Sequence, residues 1–427
     1  MQSSLELTAG TGSSVVLERC QVCDDPDLRP ILFLGYLPPV NQMRPIGSLP
    51  HEQPAYPALL LHCRRCQLVQ LGLTVDPNIL FPPEYPYTSG TTKILRENFA
   101  QLYQECQTVV PLAKDDLIVD IGSNDGTLLN NFKDGGHRVH GIEPTDMSQL
   151  ARQRGINTTQ AFFDRDSAQK VRTEEGPAKI ITATNVFAHI ENIHEIIESL
   201  LVLLDTKGVF ISESHYLMSL TETLQYDTIY HEHLRYYSLS SLQYLLALHG
   251  LEIIHARRIP THGGSMRVYA AHRGTYTVQP SVPIMLDQEQ AAGLYNEKLN
   301  TFKQRAVVSK LELYNLLLEI KKRDEKIYGI GAPSRASTMI NYVGLDDGII
   351  DCVLEIKGSY KIGKYMPGTL IPVLDEAKLF SDPPDYALLF SWHIADELMP
   401  KLVAKGYRGK FIIPLPEPRI VGWENFT

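Results

Sequence analysis

The sequence predicts an α/β protein: a doubly wound, largely parallel sheet with a four-cysteine segment before it and a smaller strand–glycine loop–helix unit after it. Three observations lead there. From about residue 115 apolar strand runs alternate with helical spacing, four cysteines fall in two Cys-x2-Cys pairs, and a second glycine loop opens at Lys326–Ala336. With 427 residues, and about 100–200 residues per domain, the chain has room for two to four domains. Hydrophobic residues make up 44% and charged residues 21%, ordinary for a globular chain able to bury several cores. No apolar run approaches the ~20 residues of a membrane span. The opening MQSSLELTAGTGSS lacks the basic and apolar regions of a secretory signal, so a cytoplasmic location is expected. The net charge of −9 disfavours nucleic acid as a partner.

The N-terminal element rests on Cys20, Cys23, Cys63 and Cys66. Paired Cys-x2-Cys turns each offer two sulfurs, and two such turns complete a tetrahedron around one zinc ion. Four protein ligands leave no open position, so that metal is structural. Two redox dithiols would use the same spacing. The stretch between the pairs, with Pro38-Pro39, is poor in helix signals and needs a staple. Cys106 and Cys352 stand alone and read as buried small hydrophobes.

The central alternation begins with Leu117–Ile121, a buried-strand run, then Gly122-Ser-Asn-Asp-Gly126 and a short helix. Arg138–Glu143 is the second strand, Ile156–Thr159 a short third and Lys179–Thr184 the fourth. Apolar residues at 193, 196, 197, 200, 201 and 204 mark one helix face. Gly208 is expected to end that helix before a fifth strand, Val209–Glu213. After a helix over 239–249, two runs joined by Thr261-His-Gly-Gly264 read as a hairpin. Ligands of such sheets sit beyond the carboxyl ends of the strands. There the glycines of the first loop let backbone approach a ligand, and Glu143 after the second strand suits ribose hydroxyls. A nucleoside ligand follows. A dinucleotide does not, because the loop lacks G-x-G-x-x-G.

Further on, Tyr226-Asp-Thr-Ile-Tyr230-His231-Glu232-His233 crowds polar and aromatic side chains together after the fifth strand. Histidine is the side chain best suited to take a proton near neutral pH. His231 reads as an ordinary surface residue, or with His233 as part of a second metal site lacking a third ligand. In the C-terminal part, residues 284–324 carry helical spacing. The loop of Lys326–Ala336 can hold phosphate on backbone N–H groups, with Arg335 as a fork. Lys357, Lys361 and Lys364 lie among tyrosines and glycines beyond it.

Asp120–Thr127 with Gly141-Ile-Glu-Pro144 resembles the first two motifs of class I S-adenosylmethionine methyltransferases. Together with Ala183–Ile190, Tyr226–His233 and the four cysteines, the chain from about 20 to 420 resembles the sugar C-methyltransferases that act on nucleotide-linked keto-deoxysugars. The resemblance implies a zinc-binding domain over 15–80, a methyltransferase core over 81–275, a helical connector over 276–325 and a Rossmann-like nucleotide-sugar domain over 326–427. It implies S-adenosylmethionine and structural zinc as cofactors and a dTDP- or GDP-linked keto-sugar as partner. In the donor site Gly122 and Asn124 would border the methionine part, Glu143 the ribose and Asn185 the donor, with Asp120 orienting the loop. His233 would be the base, Glu232 and Tyr230 its positioning groups, and His189 a substrate-oxygen donor or second acid/base group. Tyr85 and Tyr87 resemble a tyrosine-rich segment over the substrate. Arg335, Lys357, Lys361 and Lys364 would meet the diphosphate and base. The chain departs from the family at Ser334-Arg335, where many relatives carry Ala-Lys. An O- or N-methyltransferase on a small metabolite, or a zinc-ribbon RNA-binding or scaffold protein with a degenerate core, are the alternatives.

Overall fold

Two proline- and glycine-punctuated arms flank a central sheet, and each arm builds a sheet of its own. The computed structural model describes residues 8–9, 14–80, 90 and 93–426. Near the N-terminus Thr8–Ala9, Ser14–Val16 and Leu73–Thr74 form a small sheet. Strands β1 (Leu28–Leu37), β2 (Tyr56–Cys63) and β3 (Val69–Leu71) then pair antiparallel.

The central sheet uses β4 (Leu117–Ile121), β5 (Arg138–Ile142), β6 (Asn157–Thr159), β7 (Ala178–Thr184) and β8 (Leu204–His215). After them β9 (Arg235–Tyr236) leaves this sheet and pairs with β3, extending the N-terminal sheet. β10 (Leu251–Ile259) and β11 (Ser265–His272) form the expected hairpin. The spatial order is β10-β11-β8-β7-β4-β5-β6, parallel except for β11. Every residue of β4 is buried, as a parallel strand covered on both faces requires. Helix Ile193–Leu203 buries Ile193, Ile196, Ile197, Leu200 and Leu203, and Asn192 caps it by accepting from the Glu195 N–H.

Gly208 does not end that helix. The helix stops at Leu203, and Gly208 lies inside β8, where the register jumps from Leu204 opposite Ala178 to Val209 opposite Ile180. A Cβ there would lie 2.9 Å from the Ala178 carbonyl oxygen, so the bulge needs the bare backbone. The strand also runs two residues beyond Glu213 and ends at His215.

Helices Ser281–Ala291 and Leu299–Lys321 follow, joined by a π turn at Leu294–Lys298. The long helix buries Leu299, Phe302, Ala306, Ser309, Leu313, Leu317 and Ile320, while Leu311 and Leu318 face outward. The last sheet contains β12 (Ile327–Ile330), β13 (Cys352–Glu355), β14 (Val373–Asp375), β15 (Tyr386–Leu389), β16 (Lys410–Ile413) and β17 (Arg419–Val421). Its order is β14-β13-β12-β15-β16-β17, parallel except at β17. Cys106 and Cys352 are both buried without a disulfide. Among the described residues no helix is long and apolar enough to cross a membrane.

Candidate active site

The four N-terminal sulfurs lie within 4.8 Å of one another, from the turn at Cys20–Cys23 and the turn that leaves β2 at Cys63–Cys66. The Val22 N–H points at Cys20 Sγ over 3.4 Å, the backbone-to-sulfur contact of a zinc knuckle. None of the four is in a disulfide. Four thiol donors converging at this spacing fit one tetrahedral zinc ion.

The donor loop leaves β4 with Gly122 at φ +68°, Asn124 at φ +50° and Gly126 at φ +76°. A Cβ on Gly122 would lie 2.5 Å from Val186, so backbone is all this turn can present. Glu143, at the end of β5, holds the loop: Oε2 accepts from the Asn124 N–H (2.9 Å), and Oε1 accepts from the Thr145 N–H (2.9 Å) and hydroxyl (2.6 Å). Each carboxylate oxygen has more than one lone pair, so Glu143 can hold the loop and still accept from a ribose hydroxyl. Asp120 lies beneath, accepting from Thr182 Oγ1 at 2.6 Å. Burial pushes its carboxyl up to about 7, with Glu143 nearby adding to the shift. Asn185, just past β7, sits at φ +57° and donates its N–H to the Glu213 carbonyl (2.8 Å). A backbone cradle with an acidic rim fits the nucleoside part of S-adenosylmethionine.

Four imidazoles gather at the same edge. His189 follows β7, His215 ends β8, His233 follows the Tyr226–Thr228 turn, and His262 sits in the turn between β10 and β11. β10 runs parallel to β8 because both are antiparallel to β11, so its carboxyl end reaches this edge too. His233 is 8% exposed. Its Nδ1–H donates to the Thr228 carbonyl (2.8 Å), which fixes the tautomer with a lone pair on Nε2. Tyr230 lies against the ring at 4.2 Å between centroids, and His189 and His215 at 4.9 Å each. Burial, then the neighbouring His189, hold the His233 pKa well below the ordinary histidine value. His189 donates Nδ1–H to the Glu232 carbonyl (2.5 Å), and burial lowers it to about 4. Tyr85 and Tyr87 lie outside the described residues.

His231 is not a surface residue. It is 2% exposed, packs on Tyr56 and points Nε2 at the Pro57 carbonyl (3.3 Å), away from the Thr228 carbonyl that holds His233. Among the described residues only the four cysteines converge as metal ligands. Glu232 accepts from Asn41 Nδ2 at 2.7 Å, and Tyr360 donates to Asn41 Oδ1 at 3.5 Å. The loop around Asn41 also pairs with the lysine loop: Tyr365 N–H donates to the Arg44 carbonyl and Ile46 N–H to that of Gly363, both 2.8 Å. Asn41, on the segment after β1, thus links Glu232 to Tyr360 of the lysine loop.

In the lysine loop Lys361 donates to the Ala332 carbonyl (2.5 Å), Lys364 lies 4.8 Å over the Tyr360 ring, and Lys357 is exposed. In the Lys326–Ala336 loop the Ala332 N–H donates to Glu355 at 2.9 Å. Arg335 also departs from the phosphate fork. Its Nε faces Asp227 Oδ2 at 3.3 Å, one terminal nitrogen donates to Gln225 Oε1 (2.9 Å) and the other meets His393 Nδ1 (2.7 Å), with Trp392 beneath. The reason is Asp227: its side chain is fully buried, and Arg335 and Trp392 Nε1 (2.7 Å) are what compensate it. Arg335→Ala is therefore expected to destabilise the protein by about 3–5 kcal/mol by stranding that carboxylate. Denaturant midpoints check this, with Arg335→Lys expected to recover part of the loss.

Sequence reasoning missed three supports. Arg235, 2% exposed, donates both terminal nitrogens to the carbonyls of Ile190 and Glu191 and so fixes the segment after His189. Arg267 and Glu213, both fully buried, pair at 2.6 Å, and Asn98 bridges them, donating to Glu213 and accepting from Arg267. His215 and His262 complete the imidazole cluster. The strand pattern at β11 could have flagged Arg267, which falls inside the largely apolar Met266–Ala271 run, whereas Glu213 lies among Ser212, Ser214 and His215 and carries no such mark.

The sheet order, the glycine-and-acid donor loop and the four-sulfur cluster define a class I methyltransferase fold carrying a zinc domain. Family models match as a zinc binding domain over 20–81, a methyltransferase domain over 93–256 and the C-methyltransferase C-terminal domain over 260–416. The chain is 30% identical over 415 residues to the C-methyltransferase NovU of Streptomyces niveus, covering 96% of this chain and 98% of the relative. The chain belongs to the S-adenosylmethionine-dependent C-methyltransferase family. Among solved structures, the CcbJ methyltransferase of Streptomyces caelestis matches 41% of this chain and 89% of its own at 13% identity and TM-score 0.33. Magnesium protoporphyrin IX methyltransferase of Synechocystis matches 41% and 76% at 14% identity and TM-score 0.31. Neither value bears on substrate.

Proposed function

We propose that the protein methylates the carbon beside the ketone of a dTDP- or GDP-linked keto-deoxysugar, with His233 as the base. The observation that carries this reading is the fixed tautomer of His233: Nδ1–H held by the Thr228 carbonyl, Nε2 left as a lone pair in a buried histidine cluster at the ligand edge of the sheet. Methylating a carbon acid needs such a base. Nε2 takes the proton, the C–H electron pair becomes an enolate, and that carbon forms the new bond to the methyl group. S-adenosylmethionine, when bound, would supply the electrophilic methyl, the electron pair of the broken S–CH3 bond staying on its sulfur.

Tyr230 keeps the His233 ring in place by contact, and His189, its Nδ1–H given to the Glu232 carbonyl, serves as the second acid/base group. Glu232 ties the segment to Asn41 and, through it, to Tyr360. Gly122, Asn124, Glu143 and Asn185 hold the donor, with Asp120 bracing the loop. Lys357, Lys361 and Lys364 face the diphosphate and base of the nucleotide, while Arg335 joins the domains rather than binding phosphate. The four cysteines hold the zinc ion, which supplies folding energy and no chemistry. Protein, labelled donor and dTDP- or GDP-4-keto-6-deoxysugars in deuterated water are expected to give deuterium exchange beside the ketone and methyl transfer. Neither outcome with any such sugar would overturn the reading.

A further inference from the structure

His262 sits where a histidine is conformationally disfavoured. Its φ is +55°, followed by Gly263 at +89° and Gly264 at +117°, three successive residues in the left-handed half of backbone space. A non-glycine residue there is uncommon, and such outliers concentrate at functional sites. The turn is clamped from both sides. A Cβ on Gly263 would lie 2.9 Å from Gln225 and one on Gly264 2.5 Å from Ser219. Gln225 also donates to the Gly263 carbonyl (2.7 Å) while accepting from Arg335 (2.9 Å). The turn is thus held by the core and, through Arg335, by the C-terminal domain. What this clamp presents is an imidazole whose Nε2 is buried and has no partner among the described residues. It lies 5.7 Å from His215, which lies 4.9 Å from His233. A buried, unpartnered ring nitrogen is costly unless a ligand completes it.

We infer that His262 Nε2–H is a hydrogen-bond donor to the ketone oxygen of the substrate; this rests on the keto-sugar reading above. As His233 removes the proton, the C–H pair moves into the carbon–carbon bond and the carbonyl pair moves onto oxygen. That oxygen then carries the charge, and His262 meets it without transferring its proton. When the carbon takes the methyl group the electrons return and the oxygen is a ketone again. Burial and the nearby Arg335 keep the ring neutral at working pH, at about 4. Neutral imidazole is a fitting donor to an enolate because it stabilises charge without quenching the nucleophile.

The test is His262→Asn, which tolerates the left-handed backbone but is too short to reach the oxygen, with His262→Gln as a longer amide donor. Exchange of the proton beside the ketone, read in deuterated water, and methyl transfer are both expected to fall by about 10²–10³ in His262→Asn, the usual cost of one oxyanion donor. His262→Gln should regain part of this, with affinity for S-adenosylhomocysteine unchanged in both by calorimetry. Wild-type exchange in His262→Asn would overturn the inference alone, and a matching loss of S-adenosylhomocysteine binding would overturn it by showing a structural role. A wild-type protein inert towards every keto-sugar would overturn the substrate reading and this inference with it.

Discussion

Replacing His233 with alanine is expected to lower turnover by about 10²–10⁴, the range for a lost acid/base group, and to leave donor binding intact. The separation follows from geometry. His233 hangs from the Thr228 carbonyl and packs on Tyr230, whereas the donor loop is held by Glu143 and Thr145 across the sheet. Deuterium exchange beside the ketone should fall with turnover, because both need the same proton removed. The pH profile adds a second check. A base must be unprotonated to act, so activity is lost as pH falls through its pKa. With His233 held well below the ordinary histidine value by burial and His189, the acidic limb should lie below that of an ordinary histidine. The variant should lose that limb. Normal turnover in His233→Ala, or an unchanged limb, would remove His233 from the base role.

Much of the fold is legible because buried parallel strands are written as nearly continuous apolar runs: Leu117–Ile121 and the strand within Ala178–Thr184 need no tertiary information. The cysteine pairs are legible because the spacing itself is the chemistry. Gly208 misleads because a glycine after an apolar helix face looks like a helix stop, and only the strand register reveals a bulge. His215 and His262 are lone histidines at element ends, and nothing local marks them until the sheet brings their ends together. Arg335 misleads for a different reason. A cation after a glycine loop suits phosphate, but the buried carboxylate of Asp227, more than a hundred residues earlier in sequence, captures it first. Long-range charge pairing leaves no periodic signature.

Stripping zinc, or replacing Cys63 with serine, is expected to abolish methyl transfer while sparing donor binding, although the metal is a folding element and not a reagent. In zinc-finger peptides the ion contributes about 10–16 kcal/mol, as much as the whole stability of a typical domain. Losing it should therefore unfold the sheet of β1, β2, β3 and β9. The catalytic segment is part of that sheet. β9 pairs Arg235 with Gln70 and Tyr236 with Val69, and the Leu71 N–H donates to the Leu234 carbonyl at 3.0 Å. His231 leans on Pro57, and Glu232 on Asn41, so two of the three residues of the His-Glu-His run have an anchor in or beside this sheet. Arg235 carries the disturbance to the carbonyls after His189. A displacement of about 1 Å at reacting groups can cost about 10²-fold, and release of the segment exceeds that. The donor loop, by contrast, is held by Glu143, which accepts from the Asn124 and Thr145 N–H groups, with Asp120 beneath it bonded to Thr182. Chelation should thus abolish turnover with S-adenosylhomocysteine affinity retained by calorimetry, and added zinc should restore turnover. Full activity in metal-free protein would break the link between the four cysteines and His233.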